Sequence, residues 1–328
     1  MALDSVDSVS CWVITDGKAG MESQCIGLAE ALGFEPKVKR VALRTPWKQL
    51  TPYFRFAQSL GFAKTSDALK APWPDLMIAT GRQSVAASLL VQDRAQKAGK
   101  RVIAVQLQNP VISSSHFDLV VAPRHDRLTG TNVLATRGAL HRITSETLLA
   151  DTARLAPYVS KLPRPYIGVL LGGSNAAYQL DENAAARLGR QLASSAQGLG
   201  GSLLVTSSRR TGDANKTAFK KAIGAAPNFF WEGNGFNPYF GILGLADFLI
   251  VTCDSVNMVS EALASAKPVY VVDLPGGTAK FDAFHRDLRN EGLTRTFDGP
   301  LEVYSYDPPN DMAEVTRHIH ALLQNPKP

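Results

Sequence analysis

The sequence predicts an α/β protein made of two open parallel-sheet domains that face each other across a cleft. Short apolar runs alternate with longer segments of helical periodicity, which is the pattern of β-α-β units in a parallel sheet. The alternation occurs twice, on either side of a proline-containing segment. The length of 328 residues is also that of two ordinary domains.

Short apolar runs bounded by polar residues mark the strands, since strands of a parallel sheet are buried on both faces. In the first half the predicted strands are Cys11–Thr15, Val38–Ala42, Leu76–Ala79, Val102–Val105 and Leu119–Val121, and the helices include Ser23–Leu32 and Ser84–Ala98. In the second half the predicted strands are Tyr166–Leu171, Leu203–Thr206, Phe229–Trp231, Phe248–Thr252 and Val269–Val272. The helices of that half are Asn183–Ala196, Ala214–Ile223, Val256–Ala264 and Asp311–Leu323.

The segment Ala156–Pro165 is the predicted linker between the two domains. It carries Pro157, Pro163 and Pro165, and proline interrupts the hydrogen bonding of helices and central strands. The prediction therefore divides the chain into residues 1–156, residues 157–310 and a C-terminal helix, 311–328, that packs back on the first domain. Ligands are expected at the carboxyl ends of the strands, in the cleft.

The composition excludes several classes of protein. A hydrophobic content of 45% is enough for two cores, and a net charge of +6 is too small to indicate a nucleic-acid partner. The three cysteines, Cys11, Cys25 and Cys253, form no CxxC motif, which favours a reducing, cytoplasmic location, with Cys11 and Cys253 in the core. No signal peptide and no apolar run of ~20 residues is present. Any contact with the inner membrane is therefore expected to be peripheral.

The stretch Pro46–Lys64 interleaves aromatic and basic residues. Tyr53, Phe56 and Leu60 share one side at helical spacing. This pattern is typical of a helix that faces a core. It also fits a surface that docks weakly on an anionic membrane or a lipid acceptor, because aromatic side chains insert and basic ones meet headgroups. The sequence leaves both interpretations open.

Glycine-rich turns follow the first strand of each predicted domain. Asp16-Gly17-Lys18-Ala19-Gly20 has the small residues that let backbone N–H groups approach a ligand at a helix N-terminus. Gly172-Gly173-Ser174 follows Tyr166–Leu171 in the same way. Neither is a Walker A loop or a GxGxxG motif. The sequence therefore predicts neither a nicotinamide nor another cofactor.

The next strand of the second domain ends in hydroxyls and arginines. Ser207, Arg209 and Arg210 would suit phosphate oxygens, because guanidinium groups bind phosphate in bidentate fashion. A tight turn with solvated arginines is the plainer alternative. The loop that contains Asn234 is predicted to wall the base of a nucleotide.

A strand, a polar turn and a helix follow one another in Asp247–Ala262, the most informative motif. Asp254 or Ser255 is predicted to be the N-cap of the helix. Asn257 and Glu261 lie four residues apart and therefore on one helix face, and Met258 is assigned to the same nucleotide-sugar site. A carboxylate there can accept both hydroxyls of a ribose while the helix N-terminus binds phosphate. A surface glutamate behind a cap is the alternative. No metal-ligand spacing is found, so no metal is predicted.

The motifs Thr206–Thr211 (TSSRRT), Asn237-Pro238-Tyr239 and Val251–Glu261 (VTCDSVNMVSE) resemble those of a known family. They are similar to the bacterial relatives of the mitochondrial fission proteins named for elongated mitochondria in plants, and the resemblance covers nearly the whole chain. More distantly, the layout resembles the glycosyltransferase-B enzyme MurG. The resemblance implies a glycosyltransferase-B fold with two Rossmann-like domains.

The likeness to MurG also implies roles for individual residues. Gly172, Gly173 and Ser174 match its donor-side turn, Ser255 and Asn257 its phosphate-side turn, and Glu261 its ribose-binding glutamate. The acceptor-side loop is assigned Gly17, Lys18, Gly20, Gly81 and Arg82. Met21 stands where that loop carries a histidine, so Asp16 is the candidate catalytic base.

Three functions are compatible with these observations. The first is a metal-independent glycosyltransferase that uses a nucleoside-diphosphate sugar, such as one of uridine diphosphate, and a lipid-linked acceptor. The second is a non-catalytic, membrane-associated adaptor, which Met21 favours. The third is a non-hydrolysing nucleoside-diphosphate-sugar epimerase, because such enzymes share the two-domain architecture.

Overall fold

The protein consists of two compact units that each contain one parallel sheet. The structure is a computed structural model and describes residues 9–51 and 61–325. One unit runs to Arg142 and includes the chain from Asn310 onward, and the other comprises Ile143–Pro309. Each sheet has six strands, all parallel, which confirms the predicted α/β class.

The first unit has the strand order β2-β1-β3-β4-β5-β6. Its strands are β1 (Cys11–Thr15), β2 (Lys37–Arg40), β3 (Leu76–Thr80), β4 (Ile103–Leu107), β5 (Leu119–Pro123) and β6 (Val133–Thr136). The helices along this part of the chain are α1 (Ala19–Ala31), α2 (Trp47–Leu50) and α3 (Arg82–Lys97). Strands β1, β3 and β4 are buried along their whole length, because helices cover both faces of the sheet.

Alternate residues of these strands enter two separate cores. Val13, Ile78 and Val105 belong to one cluster, and their neighbours Ile14, Met77 and Ala104 belong to the other. Successive side chains of a strand point to opposite faces, so a continuous apolar run supplies both cores at once. Cys11 and Cys25 are buried in the first of these clusters, as predicted for Cys11.

The second unit has the strand order β12-β11-β10-β7-β8-β9. Its strands are β7 (Tyr166–Leu171), β8 (Ser202–Ser207), β9 (Asn228–Phe230), β10 (Phe248–Thr252), β11 (Val269–Val272) and β12 (Arg295–Thr296). Its helices are α4 (Ser145–Val159), α5 (Glu182–Leu199), α6 (Asp213–Ile223), α7 (Tyr239–Leu245), α8 (Val256–Leu263) and α9 (Ala279–Asn290). Because β7 lies between β10 and β8, the turns that follow these three strands are neighbours.

The C-terminal helix α10 (Asp311–Gln324) returns to the first unit. Val315 and Ile319 are fully buried in its core beside α1. The Asp311 carboxylate accepts hydrogen bonds from the backbone N–H groups of Arg137, at 2.8 Å, and Gly138, at 3.4 Å. An apolar stripe and one partly buried carboxylate thus fasten the end of the chain to the first unit.

The chain crosses between the units at Arg142 and Ile143, fourteen residues before the predicted position at 156. Residues 156–159 of the predicted linker belong to α4, which contains Pro157 close to its C-terminal end. Helix α4 packs on α7, where Cβ atoms added to Gly241 and Gly244 would contact Leu155 and overlap Thr152. These two glycines let the helix axes approach closely, so α4 belongs to the second unit.

The aromatic stretch Pro46–Lys64 is described only in part. Tyr53, Phe56 and Leu60 lie outside the described residues, so the membrane-docking interpretation stays a prediction. Of the described residues, Trp47 packs over Gly61, and Phe62 packs against a core cluster of the first unit. No helix in the described ranges is long and apolar enough to cross a bilayer.

Candidate functional site

Three polar turns meet at one edge of the second sheet. They follow the neighbouring strands β10, β7 and β8 and comprise residues 253–255, 172–175 and 208–211. Parallel strands bring their carboxyl ends to the same edge, where ligands of open α/β sheets bind. The turns contain most of the residues predicted for the nucleotide side of the site.

The Asp254 carboxylate connects all three turns. Its Oδ2 accepts hydrogen bonds from the Gly173 N–H, at 3.1 Å, and from Nη2 of Arg210, at 2.7 Å. Its Oδ1 accepts from the Thr252 hydroxyl at 2.6 Å, and the oxygen of that hydroxyl accepts from the Gly172 N–H at 2.7 Å. The Asp254 side chain is fully buried, so these partners replace the water that would otherwise solvate its charge.

Crowding by the protein itself explains the two adjacent glycines. A Cβ added to Gly172 would overlap the Asp254 carboxylate, and one added to Gly173 would overlap the backbone of Arg210 and Thr211. Neither glycine has a positive φ, so the requirement is space and not backbone conformation. The sequence predicts that a ligand approaches this glycine backbone closely. In the structure the groups that approach it are the Asp254 carboxylate and the turn after β8.

Ser174 and Asn175 are engaged within their own loop. The Ser174 hydroxyl accepts from the Leu180 N–H at 2.9 Å and donates to the Leu180 carbonyl at 3.2 Å. The Asn175 side chain accepts from the N–H groups of Ala177 and Tyr178 and donates to the Asp254 carbonyl at 3.0 Å. These bonds hold the loop 172–180 against the turn after β10.

Ser255 is the N-cap of α8, which decides between the two predicted candidates. Its hydroxyl accepts from the Met258 N–H at 3.3 Å, while Asp254 points into the interior. Asn257 lies in the first turn of this helix, whose N-terminus carries positive potential. Met258 packs against the core of the unit.

Glu261 lies one turn after Asn257 on α8 and meets Tyr239 at the start of α7. The Tyr239 hydroxyl donates to Oε2 of Glu261 at 2.6 Å. Burial raises the pKa of Glu261 to about 7, and the Tyr239 hydrogen bond, which favours the ionised form, opposes part of that rise. A carboxyl group in this environment changes charge near neutral pH.

The remaining predicted donor-side residues lie at the surface of the second unit. Ser207 ends β8 and is half-buried, whereas Arg209 and Arg210 are exposed in the turn that follows. Asn234 is exposed, and its carbonyl accepts from Nε1 of Trp231 at 2.9 Å. The structure thus brings Arg210 to Asp254 and leaves Asn234 on a separate loop.

The predicted acceptor-side residues lie at the carboxyl edge of the first sheet. The Asp16 side chain is only 5% exposed and forms an ion pair with Lys18 at 2.8 Å. Gly17 and Gly81 have φ of 81° and 86°, in the left-handed region that favours glycine. A Cβ added to Gly81 would lie 2.7 Å from Cε of Met21, so the two loops are in contact.

Arg82 and Gly20 are part of the framework of the first unit: Arg82 bonds to backbone carbonyl groups, and Gly20 is part of a helix. Nη2 of Arg82 donates to the Gln49 carbonyl at 2.8 Å, and Nε donates to the carbonyl of Thr51. Gly20 lies in the first turn of α1. Arg82 therefore anchors the end of α2 to the start of α3.

Sequence reasoning missed the roles of Asp254 and Tyr239. It considered Asp254 only as a helix cap, and it assigned Tyr239 no contact with Glu261, although Tyr239 stands in a quoted motif. The available signal for Asp254 was an aspartate two residues after the end of an apolar strand. Among the described residues, no group of three or more His, Cys, Asp or Glu side chains could hold a metal ion.

Comparisons with known proteins agree with this architecture. The UDP-GlcNAc 2-epimerase of Methanocaldococcus jannaschii superimposes with a TM-score of 0.55 at 11% identity, covering 96% of this chain and 100% of that one. The UDP-GlcNAc 2-epimerase of Neisseria meningitidis, bound to UDP-GlcNAc, gives 0.51 at 13% identity, with 96% and 100% covered. At such identities the likeness shows the fold alone, which is two Rossmann-like domains of the glycosyltransferase-B type.

Sequence comparison identifies the family. The mitochondrial fission protein ELM1 of Arabidopsis thaliana is 31% identical over 282 residues, which cover 76% of this chain. The match spans 64% of the plant protein's own length. The family model described as "Mitochondrial fission ELM1" matches residues 19–323. The chain therefore belongs to the mitochondrial fission ELM1 family.

Proposed function

We propose that the second unit binds a nucleoside-diphosphate sugar and that the protein transfers the sugar to a lipid-linked or membrane-side acceptor without a metal ion. One observation carries the proposal. The exposed Arg210, ordered by the buried Asp254, lies at the same sheet edge as the capped N-terminus of α8 and Glu261 farther along that helix. This arrangement offers positive charge for a diphosphate and a carboxylate for a ribose.

The diphosphate would bind between the turn after β8 and the start of α8. Arg209 and Arg210 supply guanidinium donors, and the first turn of α8 supplies backbone N–H groups and positive potential. These groups would stabilise the charge that develops on the leaving diphosphate, which is the role that a metal ion has in other transferases.

The ribose would bind to Glu261. One oxygen of this carboxyl group, Oε2, is held by Tyr239, and the described residues give Oε1 no hydrogen bond. An ionised carboxylate has enough lone pairs to accept two ribose hydroxyls while it keeps the bond from Tyr239. Asn257, one turn earlier, would address the same ligand.

The choice of uridine diphosphate rests on the proteins of the same fold. One of them was solved with UDP-GlcNAc bound, which makes uridine nucleotides the first ligands to test. The proposal extends this ligand class to the present chain because its second unit carries exposed arginines in the turn after β8 and a carboxylate, Glu261, on α8.

Asp16 is the proposed base on the acceptor side. It would take the proton of the acceptor hydroxyl as that oxygen bonds to the anomeric carbon and the diphosphate departs. The carboxylate is nearly buried, and Lys18 would have to release it before it could accept a proton. Gly17, Lys18, Gly20, Gly81 and Arg82 would shape the acceptor loop, with Arg82 acting through the end of α2.

A non-catalytic adaptor that keeps the nucleotide pocket is the second candidate function. The ion pair between Asp16 and Lys18 and the presence of Met21 beside Gly81 favour it, because both leave the acceptor loop without an evident free base. A broad acceptor screen distinguishes the two. Nucleotide binding without glycosyl transfer to any acceptor supports the adaptor, and any sugar transfer supports the enzyme.

Calorimetry with uridine diphosphate tests nucleotide binding, which the transferase and the adaptor have in common. We expect Glu261→Ala to weaken binding by ~1.5–3 kcal/mol, because the ribose loses hydrogen bonds to a charged group. Glu291→Gln is the matched control, since Glu291 is exposed just after the C-terminal end of α9. Equal affinity of wild type and Glu261→Ala would remove Glu261 from the site, and an absence of binding by the wild type would refute the proposal.

A further inference from the structure

The ion pair of Asp254 and Arg210 joins a buried charge to an exposed one. The Asp254 side chain has no solvent exposure, whereas that of Arg210 is 40% exposed, and the two meet at 2.7 Å. Taking a carboxylate out of water is costly unless it is well paired. Asp254 has such pairing from Thr252, Gly173 and Arg210, so the charge is accommodated in the turn region.

Most of the guanidinium group of Arg210 remains available for a further partner. Arginine has five N–H donors, and the bond to Asp254 uses one of them. The described residues provide no other hydrogen bond to this side chain. The Arg210 backbone lies against Gly173, and the Arg210 N–H donates to the Ser208 hydroxyl at 3.2 Å. The backbone from which the side chain extends is therefore also fixed.

Fixing an arginine before a ligand arrives increases the affinity that it can provide. A free arginine loses rotamer entropy when it binds a phosphate, and this loss is avoided if another partner already holds the side chain. Asp254 holds Arg210 at one nitrogen, and the Arg210 side chain stays partly exposed to solvent. The same carboxylate holds the Gly173 turn, so loop and arginine share one anchor.

We infer that Asp254 is a positioning residue for the diphosphate of the ligand: it fixes the exposed Arg210 guanidinium at the edge of the second sheet. This inference rests on the proposed function, because it assigns a role within the same nucleotide site. It differs from a purely structural role, in which Asp254 only joins three turns. It also differs from simple electrostatics, in which a nearby negative charge weakens phosphate binding.

Substitution of Asp254 separates these roles because each predicts a different change in the affinities for uridine diphosphate and uridine. Asp254→Asn keeps the size of the side chain and removes its charge. If Asp254 positions Arg210, uridine diphosphate should bind about tenfold more weakly, while uridine, which has no phosphate, binds as before. If the charge of Asp254 only opposes phosphate, the variant should bind uridine diphosphate more tightly. If the role is only structural, both ligands should weaken together.

The experiment is calorimetry of uridine diphosphate and uridine with wild type, Asp254→Asn, Arg210→Ala and the double variant. We expect each single variant to bind uridine diphosphate about tenfold more weakly and uridine as before, and the double variant to lose no more than either single variant. Such non-additivity is the sign of residues that act as a unit. Arg190→Ala, an exposed arginine of α5, is the control and should match wild type.

Each result decides the inference. Tighter binding of uridine diphosphate by Asp254→Asn, or equal losses for both ligands, would overturn it. If Asp254→Asn does not fold, Arg210→Lys replaces it as the deciding variant, because lysine cannot hold Asp254 and a phosphate through one planar group. Wild-type affinity of Arg210→Lys for uridine diphosphate would then overturn the inference. A wild-type protein that binds neither ligand refutes the proposed function itself, and the inference with it.

Discussion

Glu261 shows at the residue scale how burial changes a side chain's chemistry. Its ordinary pKa of 4.5 rises to about 7 because the folded chain removes water from the charged form. Tyr239 donates a hydrogen bond of 2.6 Å that opposes part of this rise. The folded protein therefore holds a proton at Glu261 over a pH range in which the unfolded chain has released it.

This proton predicts a dependence of stability on pH. The folded state binds more protons than the unfolded state between pH 4.5 and about 7, so stability falls as pH rises through this window. Compared with Glu261→Gln, which does not titrate, the wild type should lose up to about 3 kcal/mol between pH 5 and pH 8. Urea unfolding of both proteins at the two pH values measures the difference.

Tyr239→Phe provides a second check on the same residue. Removing the phenol hydroxyl removes the bond that favours the ionised carboxylate, so the pKa of Glu261 should rise further. The loss of stability then continues to a higher pH than in the wild type. A stability difference between wild type and Glu261→Gln that is constant with pH would contradict the assignment of this titration.

Steric crowding by neighbouring residues explains why several positions are glycine. Gly172 and Gly173 make room for Asp254 and for the turn after β8, and Gly241 and Gly244 make room for α4. In each pair the neighbour is distant in sequence. The glycine pairs are visible in the sequence, but the atoms that require them become known only from the folded chain.

At the scale of elements, α10 is the clearest case of a long-range contact. It lies at the end of the chain, yet Val315 and Ile319 are buried in the core of the first unit, beside α1. The apolar spacing of the helix predicts one buried face. The bonds from Asp311 to the backbone of residues 137 and 138 specify where that face docks.

We expect Ile319→Ala to destabilise the first unit by about 2–4 kcal/mol, because it leaves a cavity in a close-packed core. Arg317→Ala, on the exposed side of α10, is the control and should change stability by about 0.5 kcal/mol or less. Hydrogen exchange in β1 and α1 reports the effect. Unchanged protection of these elements in Ile319→Ala would mean that α10 contributes little to this core.

At the scale of the whole molecule, the two units repeat one architecture and differ in what their turns contain. Both have six parallel strands with polar turns at the carboxyl edge. The second unit concentrates Asp254, Arg210 and Glu261 at this edge, whereas the first has the Asp16–Lys18 ion pair and a contact between Met21 and Gly81. The proposed nucleotide site therefore belongs to the second unit.

Binding of a nucleotide to one unit should be visible in the stability of that unit. At 100 times its Kd, uridine diphosphate should stabilise the second unit by about 2.7 kcal/mol through mass action. Hydrogen exchange should slow in the segments 172–180, 207–211 and 254–262. We expect EDTA to leave both effects unchanged, because the proposed diphosphate partners are Arg209, Arg210 and backbone N–H groups. A loss of stabilisation in EDTA would show that a metal is needed.

Local patterns in the sequence determined the fold class and the positions of most elements. The predicted bounds of β1, β7, β10 and β11 are those of the structure, because buried parallel strands are continuous apolar runs with clear polar ends. The short strands β6 and β12 and the helices α4, α7 and α9 were missed. Strand β6 is only partly buried and β12 has two exposed residues, so neither has the apolar signature.

The tertiary structure alone decided which residues work together. In the sequence the position of Asp254 indicates only a helix cap. In the structure Asp254 connects three turns, because β7 pairs with both β8 and β10 and so brings the turns after these strands together. Tyr239 reaches Glu261 across 22 positions of sequence, and α4 joins the second unit through glycines of α7. Periodicity and capping are set by neighbours along the chain. Strand order and contacts between distant turns depend on packing, which no local pattern encodes.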